Sequence, residues 1–194
     1  MNWSLRYLKA TTDYRLLYRK IINGRLIGFT DSDWAGDSAD RKSQGGYIFE
    51  RNGCGPISWQ SRKQDLVATS ILEAEYIACS EASREARWLI QLQNDINGNG
   101  KDSNDCAPPS INDCAPPPIR SNNQGALAII STGVIKRRTK HIDVCYHNSR
   151  DLHTRGIVEF FYVNTDENTA DLFTKPLVIQ KHQKFTAAAG LRHF

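Results

Sequence analysis

Leu26-Ile27-Gly28-Phe29-Thr30-Asp31, followed at once by Ser32-Asp33-Trp34-Ala35-Gly36, is the stretch on which the fold turns. An apolar run of strand length stops at a carboxylate, and polar, glycine-bearing chain takes over. A strand ending this way holds its charge at the rim of a sheet, where a metal ion or a substrate can reach it. Asp31 is therefore expected to open a metal-binding carboxylate set whose other members lie further along the chain.

Upstream, Trp3, Leu5, Tyr7 and Leu8 suit a short helix over residues 3–11, and residues 14–22 suit a strand. Asn23-Gly24 fits a type I′ turn, whose central residues need positive φ. Residues 26–31 would then be the returning antiparallel strand. Downstream, residues 45–50 form the next strand, Asn52-Gly53 a second hairpin turn, and residues 56–60 its partner.

Over residues 70–96 the apolar period changes to that of a long helix. Ile71, Leu72, Ala78, Cys79, Ala82, Ala86, Leu89 and Ile90 share one side. At about 100° per residue, Glu75 lies inside that stripe, while Glu73 lies opposite with Ser80, Arg84, Arg87 and Gln91. Glu73 reads as a surface charge at a helix start, where it is mildly favourable. Glu75 faces the sheet, a costly place for a carboxylate unless a metal ion or a buried salt bridge compensates it.

Residues 97–118 read as a loop with a direct duplication, Asn104-Asp105-Cys106-Ala107-Pro108-Pro109 recurring as Asn112-Asp113-Cys114-Ala115-Pro116-Pro117. A unit so short and proline-rich is no solenoid repeat; it reads as slippage in a tolerant surface loop. Residues 119–121 make a short strand, Asn122 stands at the junction, and residues 123–130 read as a helix. A basic run follows, then an amphipathic helix over 142–155 capped by Gly156, and a strand over 157–163. Residues 165–174 are expected as a short helix carrying Asp171 and stopped by Pro176. A last helix spans 180–189. The order β-β-β-β-α-β-α-α-β-α-α describes an α/β fold, a mixed sheet flanked by helices.

With 194 residues, 40% of them hydrophobic and 24% charged, the chain is long enough for one domain with a sizeable core. No apolar run nears the roughly 20 residues of a membrane helix, and the start lacks a signal-peptide apolar stretch, so no membrane partner is expected. The five cysteines include no Cys-x-x-Cys pair, which points to neither a zinc site nor a disulfide framework; a reducing intracellular compartment is the simplest expectation. Much of the net charge of +4 falls in Lys136-Arg137-Arg138-Thr139-Lys140-His141, which reads as a phosphate-binding run rather than a merely solvated face.

Several stretches go beyond layout. Thr30-Asp31-Ser32-Asp33-Trp34-Ala35-Gly36-Asp37, Arg41-Lys42-Ser43, Ile57-Ser58-Trp59-Gln60-Ser61-Arg62-Lys63-Gln64 and Glu73-Ala74-Glu75-Tyr76 resemble the ribonuclease H domain of copia-type LTR retrotransposon Pol polyproteins. So do Arg138-Thr139-Lys140-His141-Ile142-Asp143 and Thr169-Ala170-Asp171-Leu172-Phe173-Thr174-Lys175-Pro176-Leu177. The resemblance covers residues 26–178 apart from the duplicated loop, and Leu5-Arg6-Tyr7-Leu8-Lys9 resembles the end of the preceding reverse transcriptase. It implies three segments: 1–24, a reverse transcriptase or connection remnant; 25–178, the ribonuclease H-like domain with its flexible 97–118 loop; and 179–194, a C-terminal helix and tail.

By the same resemblance, the fold is ribonuclease H-like and the reaction is hydrolysis of the RNA strand of RNA–DNA hybrids. Asp31, Glu75 and Asp171 would be the metal ligands, for two Mg²⁺ ions about 4 Å apart, with Mn²⁺ as a substitute. Asn122 stands where the family's motif has an aspartate. The catalytic set Asp31, Glu75, Asn122 and Asp171 is therefore expected to bind metal weakly and to turn over little or not at all. Lys136, Arg137, Arg138, Lys140 and His141 would grip phosphates, with hybrid geometry and 2′-hydroxyls giving selectivity. His141 and His147 are candidate general bases, His141 fitting the basic surface better; Asp33 is a substitute ligand or a solvated turn residue.

The implied partners are an RNA–DNA hybrid and the reverse transcriptase part of the same polyprotein, with no small-molecule cofactor. The implied location is the cytoplasm, in a virus-like particle, or the nucleus. A non-catalytic nucleic-acid-binding module on the same fold is the alternative. A transposase- or integrase-type nuclease is disfavoured by Glu-Ala-Glu-Tyr and Thr-Lys-Pro-Leu.

Overall fold

A computed structural model describes residues 3–20, 24–51, 53–96, 115–133 and 144–193. In chain order its elements are α1 (Trp3–Ala10), β1 (Tyr14–Leu16), β2 (Leu26–Asp33), β3 (Gln44–Arg51), β4 (Gly55–Lys63), α2 (Ile71–Ile96), β5 (Pro118–Ser121), α3 (Gln124–Thr132), α4 (Asn148–Thr154), β6 (Glu159–Tyr162), α5 (Ile179–Ala188) and β7 (Leu191–His193). Single 3₁₀ turns cover Val144–His147, Thr165–Glu167 and Thr169–Phe173.

The main sheet has the order β4-β3-β2-β5-β6, so β2 lies at its centre. β2 runs antiparallel to β3 and parallel to β5. Leu26, Tyr47, Phe49 and Ile119 pack on one face against Ala82, Ala86 and Leu89 of α2. Alanines along that helix bring its backbone close to the sheet. Ile27, Phe29 and Ile48 pack on the other face with Val163, Ala170 and Ala189. The alternation along β2 thus feeds two core layers, the pattern of a strand covered on both sides.

Four expectations need correction. β1 does not return into β2 through a hairpin: it pairs antiparallel with β7, Tyr14 opposite His193, in a separate two-stranded sheet. The reason is that both edges of β2 are already taken by β3 and β5. Glu73 is not a surface residue, and neither is Ser80, which is fully buried. Glu73 Oε2 accepts the Thr69 N–H at 2.7 Å and the Thr69 hydroxyl at 2.6 Å, while Ser70 Oγ accepts the Glu73 N–H at 3.2 Å. This is a reciprocal cap of the helix start, which turns the glutamate back into the protein. The helix expected over 142–155 is, in its described part, a 3₁₀ turn followed by α4; Gly156, at φ 66°, ends it as expected. The Asp171 segment is two 3₁₀ turns rather than one helix, each started by an asparagine cap, Asn164 and Asn168. Most of the duplicated loop, and the basic run with Lys136, Arg137, Arg138, Lys140 and His141, lie outside the described residues.

Candidate carboxylate site

Asp31 lies in the terminal part of β2 and is fully buried. Its partner across the ladder is Gly46 of β3. A Cβ at Gly46 would come within 2.7 Å of Phe173 Cβ and 2.9 Å of Thr174 Cγ2, so the bare glycine lets the Thr169–Phe173 turn lie directly on the strand beside Asp31. Asn168 fixes that turn: its Nδ2 donates to the Thr30 carbonyl at 2.9 Å and its Oδ1 accepts the Ala170 N–H at 3.3 Å. Ser61 of β4 adds a hydroxyl bond to the Phe173 carbonyl at 2.6 Å. Asp171, also fully buried, is thereby delivered to Asp31.

Two lysines neutralise the pair. Lys175 Nζ lies 3.2 Å from Asp31 Oδ2 and 3.1 Å from Asp171 Oδ1, and Lys181, from α5, lies 2.8 Å from Asp171 Oδ2. The contacts to Asp171 are ion pairs rather than aligned hydrogen bonds. The Thr174 hydroxyl donates to Asp31 Oδ2. Asn122 Nδ2 donates to Asp31 Oδ1 at 3.2 Å and to Thr165 Oγ1 at 3.3 Å. Glu75 comes from the sheet-facing side of α2 and accepts the Ser32 backbone N–H, but its Oε2 is buried with no hydrogen-bond partner among the described residues.

Burial pushes the Asp31 carboxyl up to about 6, outweighing the Lys175 ammonium and the Thr174 hydroxyl. Burial, followed by the negative charge of Asp31, holds Glu75 well above the usual carboxylate range. For Lys175 burial works against the charged form, yet the two aspartates prevail and raise its pKa.

The chain is similar to several known proteins. The retrovirus-related Pol polyprotein from transposon TNT 1-94 of Nicotiana tabacum is 34% identical over 191 residues, 98% of this chain and 13% of that protein. The one from transposon RE2 of Arabidopsis thaliana is 34% identical over 96% of this chain and 12% of its own length. This chain therefore spans about an eighth of those relatives. No protein-family model matches it. Among solved structures, LC11-RNase H1 in complex with an RNA/DNA hybrid superposes with a TM-score of 0.50 at 16% identity, over 77% of this chain and 94% of that one. The chain has the ribonuclease H fold and is a homologue of transposon Pol polyproteins.

On this ribonuclease H fold the donor set suits a hard divalent cation: carboxylate oxygens, with Glu75 Oε2 and Asn122 Oδ1 buried and without a hydrogen-bond partner among the described residues. Among the described residues, no three acidic, histidine or cysteine side chains are gathered closely enough to chelate an ion as they stand. Lys175 instead occupies the place between Asp31 and Asp171.

Of the remaining expected residues, His147 is engaged elsewhere, its Nδ1 2.9 Å from the Tyr76 hydroxyl. Asp33 ends β2 opposite Gln44 and makes no described contact with the cluster. Sequence reasoning assigned no part to Asn168, Thr174, Lys175 or Lys181. Thr174 and Lys175 belong to the quoted motif around Asp171, which was the available signal. Nothing in the sequence marks Lys181, because its approach to Asp171 depends on how α5 folds back.

Proposed function

We propose that the chain is the ribonuclease H unit of a retrotransposon Pol polyprotein, a hydrolase for the RNA strand of RNA–DNA hybrids, and that Asn122 leaves it impaired. The reading is carried by the convergence of Asp31, Glu75 and Asp171 from three separate segments on the centre of a ribonuclease H sheet. Homology to Pol polyproteins supports it, and so does a neighbour whose name includes a bound RNA/DNA hybrid.

Asp31, Glu75 and Asp171 would hold Mg²⁺ or Mn²⁺. When bound, such cations supply Lewis-acid activation of the attacking water and charge neutralisation at the leaving oxygen. The chain's own residues bind and orient. Thr174 and the Asn168-anchored turn fix the two aspartates. Glu75 has one oxygen that no hydrogen bond engages among the described residues, and a nearby cation would favour its charged form. Asn122 retains one oxygen, but an amide is neutral, and here its nitrogen donates to Asp31. Lys136, Arg137, Arg138, Lys140 and His141 would hold phosphates without reading sequence. The reverse transcriptase part of the same polyprotein would be the covalent partner.

One observation favours a second reading, a nucleic-acid-binding module without catalysis. The aspartate pair is already charge-neutralised by Lys175 and Lys181, so the fold stands without metal. Cleavage of a labelled RNA–DNA hybrid in Mg²⁺ and Mn²⁺ separates the readings. The impaired-enzyme reading predicts cleavage by Asn122→Asp and little by the chain as it stands. Full activity of the unchanged chain would refute the role given to Asn122. No cleavage by either, with tight hybrid binding, would favour the module.

A further inference from the structure

Asp31 and Asp171 carry two negative charges in a place with no solvent exposure, and two ammonium groups already balance them. The two lysines are not equivalent. Of the two buried aspartates Lys181 pairs with Asp171, and it also reaches Asp166 Oδ1 at 3.5 Å, with its ammonium 5.3 Å from the Phe185 ring centre. Lys175 bridges both carboxylates, at 3.2 and 3.1 Å, and so fills the space that a shared cation would need. Its side chain keeps 29% of its surface exposed, which leaves it a way out to solvent.

We propose that Lys175 is a built-in, displaceable counter-ion: it holds Asp31 and Asp171 together while no divalent cation is bound, and a divalent cation enters only by expelling it. This rests on the reading of those two aspartates as metal ligands. The physical reason is charge balance. A divalent cation added to a neutralised pair gains little, because its attraction to the carboxylates is offset by repulsion from an ammonium about 3 Å from them. Once the lysine swings out, the full attraction is available. The same residue therefore stabilises the metal-free fold and weakens metal binding. A lysine serving only to support the fold would do the first and not the second.

The experiment is Mn²⁺ titration followed by the electron paramagnetic resonance of free Mn²⁺, paired with thermal melting with and without Mn²⁺. It uses the full chain and its Lys175→Met, Lys175→Gln and Lys181→Met forms, each also combined with Asn122→Asp. The glutamine form keeps a hydrogen-bond donor without the charge, which covers the case in which the methionine form does not fold without metal. Expected are a lower melting temperature for the Lys175 forms without metal, a larger upward shift on adding Mn²⁺ than the parent shows, and Mn²⁺ affinity raised about tenfold. Lys181→Met should change affinity less. Unchanged or weaker Mn²⁺ binding by both Lys175 forms would overturn the inference and leave the ribonuclease H reading intact. If no form binds Mn²⁺ at all, with or without Asn122→Asp, both fall together.

Discussion

On the side of the cluster built from β2 and the Thr169–Phe173 turn, every carboxylate oxygen has a hydrogen bond or an ion pair: Asn122, Thr174 and Lys175 at Asp31, and the ammonium groups of Lys175 and Lys181, as ion pairs, at Asp171. On the α2 side, Glu75 is also buried but keeps one oxygen with neither a hydrogen bond nor an ion pair among the described residues. One side offsets burial with ammonium groups; on the other, burial and the charge of Asp31 disfavour ionisation of Glu75. A divalent ion binding here must displace an ammonium on the sheet side, whereas on the helix side it meets a carboxyl whose ionisation is disfavoured by burial.

The largest expected effect tests that asymmetry directly. Without metal, Lys175→Met should cost about 3 kcal/mol in urea unfolding, because it leaves buried carboxylates short of a counter-charge. Glu75→Gln should change stability by less than about 1 kcal/mol, since burial and the neighbouring Asp31 already disfavour its charged form. Equal losses would break the comparison.

The next effect is in pH. Asp31 binds its proton more tightly folded, at about 6, than unfolded, at 3.8. The folded state therefore holds more protons between these values, and stability falls as pH rises through that window, by about 2–3 kcal/mol from Asp31. Glu75 is shifted in the same direction and adds to the fall. The groups facing Asp31 from the other elements are Lys175, Asp171, Thr174, Asn122 and, from α2, Glu75, and the two aspartates favour the charged form of Lys175. Metal-free urea midpoints at several pH values should show the slope, and Asp31→Asn should flatten it. A rise of stability over that window would mean that the lysines, not burial, dominate Asp31.

A smaller effect probes how the sheet side is assembled. Asn168→Ala should cost about 1–3 kcal/mol by orphaning the Thr30 carbonyl and the Ala170 N–H. It should also increase hydrogen exchange in the Thr169–Phe173 turn more than in α2. Uniform loosening of both would argue against a separately anchored turn.

The uneven construction also explains what the sequence made legible. β2 and its neighbour β3 show as short apolar runs bounded by turns, and α2 has enough periodic length for the wheel to place Glu75 on the sheet. Those are local signals. The pairing of β1 is hidden because Asn23-Gly24 is a good local turn signal, whereas the true partner, β7, lies at the far end of the chain. Glu73 was misplaced because a wheel describes positions, and a capping side chain curls back over the helix end. Asp171 came from its motif rather than from any periodicity, since two short 3₁₀ turns carry too little repeat to read. Lys175 and Lys181 were invisible as counter-ions for a related reason. The pairing depends on Gly46 and Asn168 setting the turn on the sheet and on α5 returning beside it.

The most direct test is the anomalous scattering of Mn²⁺ in crystals of the Asn122→Asp protein. Manganese is expected between Asp31 and Asp171, within reach of Glu75, with Lys175 turned out to solvent. Manganese bound elsewhere, or Lys175 still bridging the two aspartates at saturating Mn²⁺, would contradict this placement.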